Sequence, residues 1–168
     1  MITIRPATPE DLPAVHAIIE RAYRGEAARQ GWTHEADLII EGPRTDIATL
    51  TGIVEDPASQ LLMALEGRTP IGSVHIADRG NGLAYLGLLS VDPGLQAGGI
   101  GRRLIEAAEA TAREKFGATR IEMTVIDRRV ELAAYYERRG YALSGEIRDF
   151  PIAMDPPLFL AVLVKHLG

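Results

Sequence analysis

The chain of 168 residues contains no cysteine. That excludes a disulfide framework, a thiolate metal site and a cysteine nucleophile able to hold an acyl group covalently. It also lacks an excess of basic charge: 18 Lys and Arg against 23 Asp and Glu leave a net charge of −5, which argues against broad non-specific nucleic-acid binding. No apolar run approaches the roughly 20 residues needed to cross a bilayer. Met1-Ile2-Thr3-Ile4-Arg5-Pro6 offers no charged start before a long apolar core, so it is a poor signal peptide. Internal repeats, low-complexity tracts and linkers are missing as well. These absences predict one cytoplasmic domain over residues 1–168, with 46% hydrophobic residues to build its core.

Periodicity supplies the elements. Ile2–Ile4 alternates as a short strand. Thr8 caps a helix with Pro9 at N1, burying Leu12, Val15, Ile19 and Ala22 and ending near Gly25. Thr33 caps a short helix stopped by Gly42-Pro43, and Thr45-Asp46 caps another through Val54. Leu61–Leu65 and Pro70–Ala77 read as a hairpin, and the turn Asp78–Gly82 leads into a strand from Leu83 to Val91. A helix from Ile100 to Gly117 carries Leu104, Ala107, Ala108 and Thr111 on one side. Ala118–Ile126 is then a strand parallel to its predecessor, Arg129–Arg139 a helix, and Tyr141–Ile147 and Leu158–Val164 the last strands around a Pro-rich loop, 150–157. The expected fold class is mixed α/β.

Between the strand ending at Val91 and the helix starting at Ile100 lies the chain's densest glycine cluster. Glycines there let main-chain N–H groups converge, and the helix start adds unpaired donors and a positive dipole end, which together cradle an anion. The spacing excludes two common cradles. The third glycine of G-x-G-x-x-G is missing after Gly99-Ile100-Gly101, and no G-x-x-x-x-G-K-[ST] occurs. What stands instead is Val91-Asp92-Pro93, then Gln96, Gly99 and Gly101.

That segment resembles the acyl-CoA signature of the GNAT superfamily of N-acyltransferases, V-x-P-x-x-[QR]-x-x-G-x-[GA], with every fixed position filled. The resemblance extends over nearly the whole chain and implies a mostly antiparallel twisted sheet whose two parallel central strands splay at the cofactor. It implies acetyl-CoA as cosubstrate and no metal. It places the pyrophosphate on the N–H groups of Gln96, Ala97, Gly98, Gly99, Ile100, Gly101 and Arg102, and pairs the pantetheine arm with the main chain of Leu89 to Val91. Arg102 takes the family's phosphate-facing position, and Arg103 divides evenly between that task and a solvated helix face.

The segment Tyr135-Tyr136-Glu137-Arg138-Arg139-Gly140-Tyr141 is similar to the family's [LF]-Y-x-x-x-G-F. This aligns Tyr136 with the tyrosine that protonates the departing thiolate and leaves Tyr135 to the core, since neighbours on a helix diverge by about 100°. The asparagine often found seven residues earlier is Arg129 here. Many relatives carry a carboxylate on the strand before the signature, but Ala84–Ser90 has none. Glu122, His75 and solvent are left as routes for the acceptor's proton, and no base is assigned. Acceptor recognition falls to residues 23–46, with Trp32, Glu35, Asp37 and Arg44, and to residues 148–158. The implied acceptor is a primary amine of a small molecule or amino acid, which attacks the thioester directly on a monomer or homodimer with no nucleic-acid or membrane partner. The alternatives are a non-catalytic acyl-CoA-binding or regulatory module and, further off, a nucleotide-binding domain.

Overall fold

The computed structural model describes residues 1–23, 45–151 and 157–167, and at residues 95–97 the backbone alone. Seven strands form one sheet: β1 (Ile2–Pro6), β2 (Ser59–Glu66), β3 (Thr69–Gly80), β4 (Leu83–Val91), β5 (Arg120–Ile126), β6 (Ala142–Asp149) and β7 (Phe159–His166), in the order β1-β2-β3-β4-β5-β7-β6. Every neighbouring pair is antiparallel except β4 and β5. The described helices are α1 (Leu12–Tyr23), α2 (Ile47–Glu55), α3 (Ile100–Phe116) and α4 (Val130–Glu137). This is the mixed α/β fold expected from the sequence. The helix expected after Thr33 lies outside the described residues.

Alternation along the strands divides the core in two. Leu61, Met63 and Leu65 of β2 pack with Leu12, Val15 and Ile19 of α1 and Leu50 of α2 on one face. Leu62 and Ala64 of β2, Val74 and Ile76 of β3 and Leu86 of β4 meet α3 and α4 on the other. The cradle helix thus covers one face and the two early helices cover the opposite one.

Several boundaries move from their expected places. The turn expected over Asp78–Gly82 contracts to Asn81-Gly82, with φ of 54° and 78°, the left-handed pair that a two-residue hairpin requires. β3 therefore runs on to Gly80. The buried stripe of α3 is also rotated. Ile100, Leu104, Ile105, Ala108, Glu109 and Ala112 are inside, whereas Ala107 and Thr111 are only half-buried. The unexpected member is Glu109, which accepts from Tyr141 Oη at 3.0 Å and from Lys165 Nζ at 3.1 Å on both oxygens.

Candidate active site

The site is built around an interruption in the sheet. β4 and β5 pair only at Leu83 with Arg120, Ala84 with Ile121 and Tyr85 with Glu122. Beyond that last pair the strands separate, leaving a gap that starts beside Tyr85 and Glu122. A bulge in β4 accompanies the separation: from Ser73 to His75 on β3 is two steps, while from Ser90 to Gly87 on β4 is three. Its extra residue sits at Leu88, with φ of 51°, a conformation costly for a branched side chain. The bulge resets the alternation, so Leu86, Leu89 and Val91 all face α3 and α4 while Leu88 packs on the α1 side.

Main-chain polarity follows from one hydrogen bond. Asp92 N–H donates to Ile71 C=O on β3 at 2.8 Å. Alternation then aims the N–H and C=O groups of Val91 and Leu89 away from β3, toward the gap. Tyr23, the last residue of α1, donates its hydroxyl to Leu89 C=O at 2.6 Å. Arg21, one half-turn earlier, pairs with Asp92 at 2.9 Å. The end of α1 is fastened to the lip of the gap at two points.

The glycine cluster forms a turn of 3₁₀ helix over Pro93–Gly98, followed by Gly99 at φ 76°, ψ 8°, which starts α3 without a side-chain cap. Only a residue tolerant of the left-handed region fits there. Asp92 begins the turn by accepting from Gly94 N–H. Gly101 is needed for a different reason: a Cβ on it would stand 2.8 Å from Tyr135 Oη and 3.8 Å from Val91 Cγ2. Val91, Gly101 and Tyr135 therefore meet, and Ile100 is buried beside them. Arg102 is exposed and reaches Glu106 at 3.4 Å, whereas Arg103 donates to Ile2 C=O at 3.2 Å across to β1.

Tyr135 and Tyr136 are both buried, with ring planes 82° apart and centroids at 5.3 Å. Tyr135 lies under the Arg139 guanidinium, 3.9 Å from its ring centroid. Tyr136 also meets Tyr141 edge-on at 6.1 Å, and Tyr23, Tyr135, Tyr141 and Tyr85 further disfavour its ionisation. Burial is the larger cause, and together they raise the Tyr136 pKa well above the ordinary tyrosine value. It remains a neutral proton donor throughout the physiological range. Arg129, at the position where the family often has asparagine, is buried at the head of α4.

His75 and Glu122 differ in placement. His75 contacts Ser59 Oγ at 3.2 Å and borders an open groove of about 300 Å³ walled by Thr49, Asp56, Asp78 and Arg79. β4 lies between it and the gap, since His75 is paired with Gly87. Desolvation lowers its pKa to about 4, so it is neutral at pH 7. Glu122 is buried at the start of the gap, and Arg148 Nη2 on β6 donates to its Oε2 at 3.0 Å. Tyr85 Oη contacts Thr124 Oγ1 at 3.2 Å, completing a polar strip across β4 and β5. Trp32, Glu35, Asp37 and Arg44 lie outside the described residues. The Tyr23–Leu89 bond and the Glu122–Arg148 pair were not foreseen from sequence; each joins residues whose nearness depends on strand order, with no local signature.

Comparison with known proteins agrees with this geometry. The family profile described as "Acetyltransferase (GNAT) family" matches residues 13–141. A curated blasticidin-S acetyltransferase of Streptomyces morookaense is 39% identical over 83 residues, which are 49% of this chain and 57% of that protein. The chain thus aligns with little more than half the length of that relative. Among solved structures, the ribosomal-protein-S18-alanine N-acetyltransferase from Escherichia coli superposes with a TM-score of 0.77 at 20% identity, over 100% of this chain and 95% of that one. A Salmonella typhimurium protein solved with its cofactor acetyl-CoA superposes with a TM-score of 0.75 at 16% identity, over 100% and 95%. At such identities the two structures establish the fold alone.

Proposed function

The chain belongs to the GNAT acetyltransferase family, and from that premise we propose that it moves an acetyl group from acetyl-CoA to a primary amine of a small molecule or amino acid by direct attack. The observation that carries this reading is the gap between β4 and β5, which has the cradle of residues 91–102 at its lip and the neutral phenol of Tyr136 beside it. In this reading residues 1–168 are one acyl-CoA N-acyltransferase domain, working in the cytoplasm as a monomer or homodimer and needing no metal.

Each residue then has a task. The N–H groups of Gln96, Ala97, Gly98, Gly99, Ile100, Gly101 and Arg102 receive the pyrophosphate, with no lysine required. The main chain of Leu89 and Val91, aimed into the gap, receives the pantetheine amides as an added strand. A main-chain N–H near Val91 polarises the thioester carbonyl. The amine nitrogen bonds to the carbonyl carbon, the C–S bond breaks, and Tyr136 gives its proton to the leaving sulfur. The amine's own proton passes to solvent, and the phenol is restored from there. Most of the acceleration comes from holding amine and thioester in line.

Two measurements test the reading. Acetyl-CoA at 100 times its Kd should stabilise the protein by about 2.7 kcal/mol through mass action; no rise in Tm at saturating cofactor overturns the assignment. Across a panel of amines, thiol release should be lowered at least about a hundredfold in kcat by Tyr136→Phe, the low end for a lost general acid, with acetyl-CoA affinity kept. Unchanged turnover removes Tyr136 as the acid. Stabilisation without thiol release from any amine marks an acyl-CoA-binding module instead.

A further inference from the structure

The acceptor's side of the gap carries a carboxylate whose position has a chemical consequence. Tyr85 and Glu122 are the last register pair before β4 and β5 part. Ile121 and Met123 pack on the α3 side, so Glu122 between them faces the α1 side, opposite the cradle. No acidic residue occurs in β4, and Glu122 is the sole acid in β5. An amine entering from the α1 face therefore meets one negative side chain on the two strands that border the gap.

Its hydrogen bonding is half complete. Among the described residues only Arg148 donates to Glu122, from Nη2 to Oε2 at 3.0 Å. Glu122 is 8% exposed, and a carboxylate held out of water needs donors on both oxygens. Arg148 in turn gives Nε to Glu146 at 2.6 Å, so two carboxylates share one guanidinium and leave one net negative charge. Two more described cations near this face are engaged away from Glu122: Arg79 lies over the Tyr85 ring at 4.8 Å, and Arg120, two residues earlier on β5, donates Nη2 to Asn81 C=O at 3.3 Å. Tyr85 lies flat across Gly87, where a Cβ would come within 2.8 Å of its ring, and so forms the wall beside the carboxylate.

Resting on the acetyltransferase reading above, we propose that Glu122 Oε1 receives the ammonium of the acceptor. The acceptor is then a cationic primary amine with no carboxylate on the amine-bearing carbon. An ammonium supplies the missing donor and neutralises the site. A neighbouring carboxylate would stand against Glu122 and Glu146 and compete for a guanidinium whose Nε and Nη2 are already engaged. This also accounts for the missing acid on β4: the charge that meets the amine stands one strand over.

Butylamine and norvaline, which differ by the α-carboxylate alone, are the probes, with thiol release from acetyl-CoA as readout and calorimetric acetyl-CoA binding beside it. The wild type should turn over butylamine with a kcat/KM at least tenfold above norvaline. Glu122→Gln should raise KM for butylamine by about tenfold or more, the loss of one charge-assisted hydrogen bond, with acetyl-CoA Kd within twofold of wild type. Retained acetyl-CoA binding also certifies that the variant is folded, and Arg148→Lys should raise the same KM by a smaller factor. Equal or better use of norvaline overturns the inference. So does an unchanged KM in Glu122→Gln, or turnover of neither amine by an enzyme that binds acetyl-CoA. Failure of the wild type to bind acetyl-CoA overturns the acetyltransferase reading itself.

Discussion

Tyr135 and Tyr136 are adjacent and both buried, yet they pack against different neighbours. Tyr136 meets Tyr141 edge-on, while Tyr135 Oη fills the space left by the missing side chain of Gly101. The second glycine of the signature thus has a local packing reason in this chain, in addition to the cradle it helps form. Gly101→Ala would drive a methyl into the Tyr135 oxygen, and Arg139 over the ring restricts any retreat. Overpacking of this kind costs about 1–3 kcal/mol. Removing the oxygen should relieve it, so Tyr135→Phe in the Gly101→Ala background should recover most of the loss. Denaturant unfolding of the two single variants and the double variant measures the coupling. Additive losses would show that Tyr135 Oη is not what excludes the methyl.

At the scale of elements, α1 shows how local chemistry fixes a helix that later matters to the site. Pro9 sets the first turn, which is 3₁₀ over Pro9–Asp11, and Asp11 accepts from Thr8 N–H at 2.8 Å and from Arg5 on β1 at 2.9 Å. The Arg5 hydrogen bond is the largest cause holding the Asp11 pKa down to about 2 from 3.8. A depressed carboxylate stabilises the folded state above its unfolded pKa and loses that contribution as pH falls through the folded value. The Tm difference between wild type and Asp11→Asn should therefore be open above about pH 4 and close as pH falls toward 2. A difference independent of pH across that window would remove Asp11 from the account. This start was legible in sequence because Thr8, Pro9 and Asp11 are neighbours; so was the glycine turn into α3, whose signature positions lie within eleven residues. The gap was legible only through resemblance. Nothing in Leu88 signals a left-handed bulge, and the pairing of Glu122 with Arg148 depends on β7 lying between their strands.

Across the whole molecule, the feature that sequence periodicity misplaced is also the one that unites distant segments. Glu109 lies in the middle of the cradle helix α3, Lys165 near the end of β7, and Tyr141 immediately before β6. Their shared carboxylate joins the helix that begins at the cradle to the C-terminal hairpin. It also fixes Tyr141, whose ring edge packs on Tyr136. Burial first, and then Glu109, raise the Tyr141 pKa, so it stays a neutral donor to that carboxylate. Glu109→Gln should leave Lys165 without its counter-charge and destabilise the protein by about 2–4 kcal/mol, toward the low end of values for broken buried pairs because Lys165 keeps partial access to water. Replacing all three groups by apolar residues of similar size, Glu109→Leu with Tyr141→Phe and Lys165→Met, removes every unpaired group at once and should regain most of that loss. If the triple variant is as unstable as Glu109→Gln, the cluster contributes bonding that apolar packing cannot replace. If it is stable but turns over more slowly at unchanged acetyl-CoA affinity, the cluster's role is to hold Tyr136 in place for the reaction.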